Sequence, residues 1–149
     1  MVTTRLATAG DAPAVTDVVQ AAFVPYVERL GGVEPWPMRL DYAEIIADGQ
    51  TWVADDAGEV VGVLVLEDRA DHLLLEVLAV APVRHGSGIG HRLMALADEQ
   101  AADRGFDEVR LFTNALMTEN LAYYPRQGYL ETHRDEVNGF HRVFFAKRL

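Results

Sequence analysis

The chain has 149 residues, half of them hydrophobic, no cysteine, and a formal net charge of −10 with its five histidines neutral. Its length favours a single domain over residues 1–149, and the lack of cysteine excludes disulfides, thiolate metal ligands and cysteine nucleophiles. So acidic a chain is expected to repel nucleic acid and anionic membranes. It contains neither an apolar run of about 20 residues to span a bilayer nor an apolar leader after Met1. We therefore expect a cytoplasmic monomer or homodimer that uses no metal.

Hydrophobic spacing predicts the elements of the first part of the chain. Residues 2–7 form a strand, and residues 8–11 resemble a capping box with Asp in place of the usual Glu. A helix follows and ends at Gly31 and Gly32. Its apolar residues recur at helical spacing: Val15, Val18, Val19, Ala22, Phe23, Tyr26 and Leu30. A proline-rich loop over residues 33–38 leads to a short helix over residues 40–47.

Strands dominate the rest of the chain. The predicted elements, in chain order, are a hairpin of strands 52–54 and 60–66, a strand over 73–80, a helix to about Arg104, a strand over 109–113, a helix over 118–127, and a final hairpin of strands 129–136 and 140–147. The strand over 73–80 is almost continuously apolar, which indicates burial on both faces. This order predicts an α/β fold with a mixed central sheet and helices on both faces.

Three closely spaced glycines, Gly86, Gly88 and Gly90, follow the apolar strand and lead into a helical pattern that begins at Ile89. Glycine lets the backbone turn sharply and approach a ligand. The free N–H groups and the positive dipole end of a helix N-terminus can hold a phosphate. A basic island without an acid surrounds the loop: Arg84, His85, His91 and Arg92. The pattern indicates a phosphate-binding loop, and a tight turn without a ligand is the alternative.

Two other glycine motifs do not fit this loop. A Walker loop needs a lysine after its last glycine, and none lies here. A dinucleotide motif that starts at Gly86 needs a third glycine at the position of His91. The loop instead resembles the Q/R-x-x-G-x-G/A loop that binds the pyrophosphate of acetyl-CoA in the GNAT family of N-acetyltransferases, with His85 in place of the usual Gln or Arg.

A second motif, Asn-Leu-Ala-Tyr-Tyr-Pro-Arg-Gln-Gly-Tyr, occupies residues 120–129. It resembles the Y-x-x-x-G-[FY] end of the second conserved block of the same family, with Tyr124 as its first tyrosine. Both motifs occur in the family's order, on a matching pattern of strands and helices along essentially the whole chain. The resemblance implies a single-domain acyl-CoA N-acyltransferase fold. It also implies an enzyme that transfers the acetyl group of acetyl-CoA to a primary amine by direct attack in a ternary complex.

The resemblance further implies which residues meet the donor. The strand before the loop lends its backbone to the pantetheine arm, and the backbone of the loop binds the phosphates. Asn120 lies four residues before Tyr124 on the same helical face, where it either reaches the CoA arm or only holds the local backbone. The implied cofactor-binding residues are Leu78, Ala79, Val80, Arg84, His85, Gly86, Ser87, Gly88, Ile89, Gly90, Asn120 and Tyr124.

Two residues are candidates for proton transfer. The resemblance implies that Tyr124 is the general acid for the departing thiolate, and a packed core aromatic is the alternative. Pro125 disfavours helical angles at the preceding residue, which makes Tyr123 a substitute candidate. Glu76 is the only acid inside the apolar strand, where burial raises the pKa of a carboxyl group. It is therefore the candidate base, and water as the base or a structural ion pair are the alternatives.

In this family the first two helices, their connecting loop and the final hairpin line the acceptor side. Aromatic residues there suit a small cationic amine through cation–π contacts, and a hydrophobic lid is the alternative. The candidate substrate-binding residues are Tyr26, Trp36 and Tyr42. A protein N-terminus or lysine, an amino acid or an antibiotic remain open as acceptors. A non-catalytic acyl-CoA-binding module of the same fold also remains open, because both motifs serve the cofactor.

Overall fold

The computed structural model describes residues 1–149. Its seven strands are β1 (Val2–Leu6), β2 (Thr51–Asp56), β3 (Glu59–Asp68), β4 (Leu73–Val80), β5 (Glu108–Asn114), β6 (Leu130–Val137) and β7 (Phe140–Arg148). They form one sheet in the order β1-β2-β3-β4-β5-β7-β6. β4 and β5 are parallel, whereas the pairs β1/β2, β2/β3, β5/β7 and β6/β7 are antiparallel. This mixed sheet, together with the helices, confirms the predicted fold class.

Five α-helices accompany the sheet: α1 (Ala12–Phe23), α2 (Pro25–Arg29), α3 (Tyr42–Ala47), α4 (Ile89–Asp103) and α5 (Thr118–Arg126). Short 3₁₀ turns occupy Ala9–Asp11, Trp36–Arg39 and Pro82–Arg84. The predicted capping box is present, and the Thr8 N–H donates to the Asp11 carboxylate over 2.8 Å. None of the helices has the combination of length and hydropathy that crossing a bilayer requires.

The first predicted helix differs from the structure, which divides it into α1 and α2. The break falls at Pro25, whose nitrogen carries no hydrogen and cannot continue the helical bond pattern. Val24 makes the last bond of α1, from its N–H to the carbonyl of Gln20 at 2.9 Å. Periodicity alone did not reveal this break, because the apolar spacing continues across the proline.

The chain divides into two compact units, residues 1–66 with 77–95 and residues 67–76 with 96–149. In the first unit, helices cover both faces of the strands. Gly62 and Val63 are neighbours in β3 and therefore point to opposite faces. On the Val63 side, α1 and α3 pack against β2, β3 and β4 in one core, which contains Val15, Val18, Val19, Tyr42, Ile46, Val53, Val63, Val65, Val77 and Ala79. On the Gly62 side, the start of α4 lies against the strand.

In the second unit, β5 alternates between buried and half-buried residues. Phe145 and Lys147 of β7 point to one face of the sheet. The Tyr124 ring of α5 lies 5.8 Å from that of Phe145, and Lys147 donates to Asp98 of α4 over 2.6 Å. Helices α4 and α5 therefore pack on this face. The alternate residues of β5 and β7, among them Phe112 and Phe144, face the other way and line a cavity.

Candidate functional site

The glycine loop, residues 84–90, connects the end of β4 to α4. Two hydrogen bonds hold the segment that leads from β4 into the loop. The Ala81 N–H donates to the Val61 carbonyl of β3 over 2.9 Å, and the Arg84 N–H donates to the Ala81 carbonyl over 2.8 Å. Gly86 and Gly88 then take φ angles of +81° and +85°, a region that other residues adopt only with strain. The predicted strand, glycine turn and helix N-terminus are therefore all present.

Close packing on β3 positions the start of α4. A Cβ atom added at Gly62 would lie 2.9 Å from Ile89 Cγ2 and 2.9 Å from Leu93 Cδ1, which is too close for a real contact. The helix can therefore lie this close to the strand only because residue 62 has no side chain. An isolated glycine inside a strand pattern is a known signal of such an approach.

The N-terminus of α4 offers free backbone donors. The N–H of Arg92 bonds to the Gly88 carbonyl over 3.0 Å, so the N–H groups of Ile89 and Gly90 precede the first turn and have no partner within the helix. Cβ atoms added at Gly86 or Gly88 would meet no atom within 4 Å. Open space next to N–H groups at the positive end of a helix dipole fits a phosphate group.

The side chains of the basic island have structural partners. Arg84 donates to Asp56 over 2.7 Å and lowers the pKa of that carboxyl. Arg92 donates to the Val2 carbonyl over 2.5 Å, and the Ser87 hydroxyl donates to the Arg84 carbonyl. The sequence suggested a basic island without an acid, but the fold places Asp56 against it. An anion bound at this loop would therefore be held mainly by backbone N–H groups.

The second motif contains the end of α5 and the turn that leads into β6. The Tyr129 N–H donates to the Tyr124 carbonyl over 3.2 Å, and the Gly128 N–H donates to the Pro125 carbonyl over 3.1 Å. These two bonds form a Schellman motif, which needs a left-handed residue after the helix, and Gly128 has a φ angle of +93°. The spacing between Tyr124, Gly128 and Tyr129 is thus explained by helix termination.

Tyr124 is 8% exposed. Its ring lies 5.5 Å from that of Tyr123 and 6.1 Å from that of Tyr129. Pro125 lies inside α5 and removes one helical hydrogen bond there, and the helix ends one residue later at Arg126. Tyr123 is half-buried, and this burial raises the pKa of its hydroxyl.

Asn120 connects α5 to the end of β5. Its amide nitrogen donates to the Thr113 hydroxyl over 3.0 Å and lies 3.7 Å from the Met117 sulfur. Thr113 is a buried polar residue, so this bond satisfies its hydroxyl and fixes the first turn of the helix. The contact supports the second of the two roles weighed for Asn120, holding the local structure.

Glu76 is the half-buried acid of β4. Burial raises the pKa of its carboxyl, and the nearby charge of Glu67 raises it further, while Arg69 opposes them. A carboxyl group with a raised pKa is suited to accept a proton near neutral pH.

The three acceptor-side candidates have different surroundings. The guanidinium carbon of Arg29 lies 5.0 Å from the centre of the Tyr26 ring. Trp36 begins a 3₁₀ turn. Tyr42 is 2% exposed, and its hydroxyl donates to the Pro37 carbonyl over 2.7 Å, so it packs in the core and holds the loop that carries Trp36.

The candidate residues are distributed over both units. The residues from Leu78 to Gly90 and the three acceptor-side aromatics belong to the first unit, whereas Glu76, Asn120 and Tyr124 belong to the second. No group of three or more His, Asp or Glu side chains is placed to hold a metal ion. The functional roles of these residues stay predictions.

A cavity of about 580 Å³ lies on the sheet of the second unit, and no contiguous motif of the sequence predicts it. Its lining includes Arg69 from the β3–β4 loop, Arg110 and Phe112 of β5, and Arg142 and Phe144 of β7. In β5 and β7, arginine and phenylalanine stand two residues apart, so they share one face. This alternation was visible in the sequence, but only strand pairing shows that the two strands are neighbours.

The family model and the relatives that match this chain are all acetyltransferases. The model of the acetyltransferase (GNAT) family matches residues 15–129. The chain is 30% identical to N-acetyltransferase family 8 member 2 of Rattus norvegicus over 75% of the chain and 52% of that protein. It is 34% identical to the aminoalkylphosphonate N-acetyltransferase of Salmonella typhimurium over 51% of the chain and 53% of that protein. The chain thus spans about half the length of these relatives.

Among solved structures, the PaiA N-acetyltransferase of Thermoplasma acidophilum in complex with coenzyme A superposes with a TM-score of 0.82. The superposition covers 100% of this chain and 99% of that one at 15% identity, so it shows a shared fold. The family match extends from α1 to the end of the second motif and includes the glycine loop. The chain therefore belongs to the GNAT family of acetyltransferases, whose acyl donor is acetyl-CoA.

Proposed function

We propose that this protein is an N-acetyltransferase that transfers the acetyl group of acetyl-CoA to a primary amine. The observation that carries the proposal is the glycine loop, in which Gly86 and Gly88 leave open space beside the first N–H groups of α4. These groups are suited to hold the pyrophosphate of the donor. The backbone of Leu78, Ala79 and Val80, at the end of β4 that leads into the loop, is proposed to bind the pantetheine arm.

The proposed reaction is direct attack in a ternary complex. Acetyl-CoA supplies the thioester carbon, and the chain supplies groups that move protons. Glu76 accepts the amine proton, directly or through water, because its carboxyl has the raised pKa described above. Tyr124 donates a proton to the CoA sulfur as the carbon–sulfur bond breaks. CoA therefore leaves as a thiol.

We expect Glu76→Gln to lower kcat about tenfold near neutral pH, a modest loss for an acid–base residue because water can take over part of the transfer. In the natural protein, kcat should rise with pH as Glu76 loses its proton, at a pH above the usual glutamate range. Since Glu67 raises the pKa of Glu76, Glu67→Gln should move this rise to lower pH. Initial rates measured against pH would show both effects, and a profile that neither substitution changes would remove Glu76 from the mechanism.

The acceptor is proposed to be a small amine that is cationic at its nitrogen, from a small molecule or a peptide. The chain is strongly acidic, so it attracts cations at long range. The segment with Trp36 is held from two sides, since the Gln20 amide nitrogen donates to the Met38 carbonyl over 3.1 Å and Tyr42 donates to Pro37. A segment held in this way can present an aromatic face to a cation at little entropic cost.

Trp36→Ala should raise the KM for the acceptor about three- to thirtyfold, which corresponds to the loss of one cation–π contact. The KM for acetyl-CoA should stay constant, and Trp36→Phe should restore much of the loss because it keeps an aromatic face. Steady-state kinetics at two salt concentrations would also show a weaker acceptor affinity at higher salt. A rise in the KM for acetyl-CoA would instead assign Trp36 to the donor site or to the core.

The proposal is tested by following CoA release from acetyl-CoA in the presence of a panel of primary amines. The panel should contain a diamine, amino acids, aminoalkylphosphonates and a peptide with a free N-terminus. Release that depends on one of these amines supports the proposal. Tight CoA binding without amine-dependent release would support the alternative, a non-catalytic acyl-CoA-binding module.

A further inference from the structure

The cavity of the second unit has an aromatic floor. Phe112 and Phe144 are paired across β5 and β7, with ring centres 5.9 Å apart. His133 is paired with Phe144 across β6 and β7 and stacks on it at 4.3 Å with an angle of 5° between the planes. The volume of about 580 Å³ lies within the range of small-molecule sites.

Positive charge predominates around this floor. The charged side chains of the lining are three arginines and one glutamate, with two histidines beside them. Arg69 contacts Glu67 at 3.3 Å, and Arg110 contacts Glu108 at 3.1 Å and Asp71 at 3.7 Å, so these two are partly balanced by acids of the chain. The protein has a net charge of −10, but this concave surface carries several arginines and is locally positive. A locally positive surface attracts an anion.

Arg142 lies over the floor. Its guanidinium carbon is 4.2 Å from the centre of the Phe112 ring, a cation–π contact that holds the group against the ring. The residue is half-buried, and this burial lowers the pKa of its guanidinium. A partly desolvated guanidinium binds a planar or tetrahedral oxyanion strongly, because its paired N–H groups match two oxygens.

The candidate base lies near the lining of the cavity. Leu74 of β4 lines the cavity, and Glu76 follows it two residues later in the same strand. Arg69 also lines the cavity, and its charge acts on the Glu76 carboxyl, where it opposes the rise in the pKa. An acceptor with its amine at Glu76 can therefore reach the arginines of the cavity with its other end.

We propose that this cavity binds an anionic group at the far end of the acceptor, so that the substrate is a small amine with a carboxylate or a phosphonate. This inference rests on the proposed N-acetyltransferase function and narrows its substrate class. The amine end of the acceptor is cationic, as proposed above. The arginines bind the negative charge at its other end.

The test compares three small amines, propylamine, β-alanine and aminoethylphosphonate, which differ mainly in the group at the far end. Their binding to the CoA-bound protein is measured by calorimetry, and CoA release from acetyl-CoA is measured separately. We expect each anionic amine to bind at least tenfold more tightly than propylamine. The better of the two identifies the oxyanion as carboxylate or phosphonate.

Arg142→Gln should reduce this preference about tenfold, the usual effect of removing a hydrogen-bonding charge. Arg142→Lys should restore part of it, and Arg110→Gln is a second variant in case the first is unstable. The control is Arg134→Gln, because Arg134 is an exposed arginine of β6 that pairs with Glu131 at 3.0 Å and does not line the cavity. CoA affinity and melting temperature check that each variant is folded.

Equal binding of the three amines would overturn the inference, as would a preference that survives both Arg142→Gln and Arg110→Gln. If anionic amines bind and Arg142→Gln abolishes the preference, but no amine causes CoA release, the proposed catalysis fails and the anion site stands. If amines are acetylated with no preference for an anion, catalysis stands and the site is refuted.

Discussion

Gly88→Val should weaken CoA binding about 100-fold. The φ angle of Gly88 is +85°, and a β-branched residue resists this conformation at a cost of about 1–2 kcal/mol. The new side chain would also fill the open space next to the N–H groups that are proposed to hold the pyrophosphate. Loss of one or two hydrogen bonds to a charged group, at about 1.5–3 kcal/mol each, gives the expected size of the effect.

Gly105→Val is the matched control for this prediction. Gly105 follows the other end of α4, has a φ angle of +80° and also has open space around an added Cβ. Both variants should therefore lose similar stability in thermal melting, while only the loop variant loses CoA affinity in calorimetry. An unchanged affinity in a folded Gly88→Val protein, or an equal loss in both variants, would refute the assignment of the loop.

Tyr124→Phe should lower kcat about 10- to 1,000-fold, the range that we expect for one general acid. The change removes the hydroxyl and keeps the ring, so the contacts with Tyr123, Tyr129 and Phe145 persist. The affinity for acetyl-CoA should therefore change little. Single-turnover measurements of CoA release would separate the chemical step from binding.

Tyr129→Phe is the control from the same motif. The Tyr129 hydroxyl is buried without a hydrogen-bond partner, and burial raises the pKa of this group. Its removal should leave kcat unchanged and preserve or increase stability, because an unsatisfied buried polar group is costly. If Tyr123→Phe lowers kcat and Tyr124→Phe does not, the proton donor is Tyr123.

Much of the fold could be predicted because its signals are local. The strand over residues 73–80 and the helix that follows the glycines begin and end close to where hydrophobic spacing places them. The continuous apolar run, the turn residues and the glycines each act within a few residues of their own position. The break at Pro25 was missed because spacing describes which residues share a face and not whether each backbone bond can form.

The candidate site was predictable where a motif is contiguous. Residues 84–90 and 120–129 form the glycine loop and the end of α5 because each depends on its own backbone angles and on the nearest helix terminus. Partners that are distant in sequence could not be predicted. Asp56 neutralises Arg84 from 28 residues away, and Thr113 receives the bond from Asn120 across a turn.

The sequence by itself determined the family and the order of the elements, because these follow from short-range patterns and from motifs that keep their spacing. Phosphate binding by the loop stays a prediction from the same motif. Only the tertiary structure decided which side chains share an environment. Strand pairing in the order β5-β7-β6 brings Phe112, Phe144 and His133 onto one surface, and it places Arg142 over that surface. The residues of such a cavity are neighbours only across hydrogen-bonded strands. Strand order is set by the packing of the whole sheet, and no local sequence pattern encodes it.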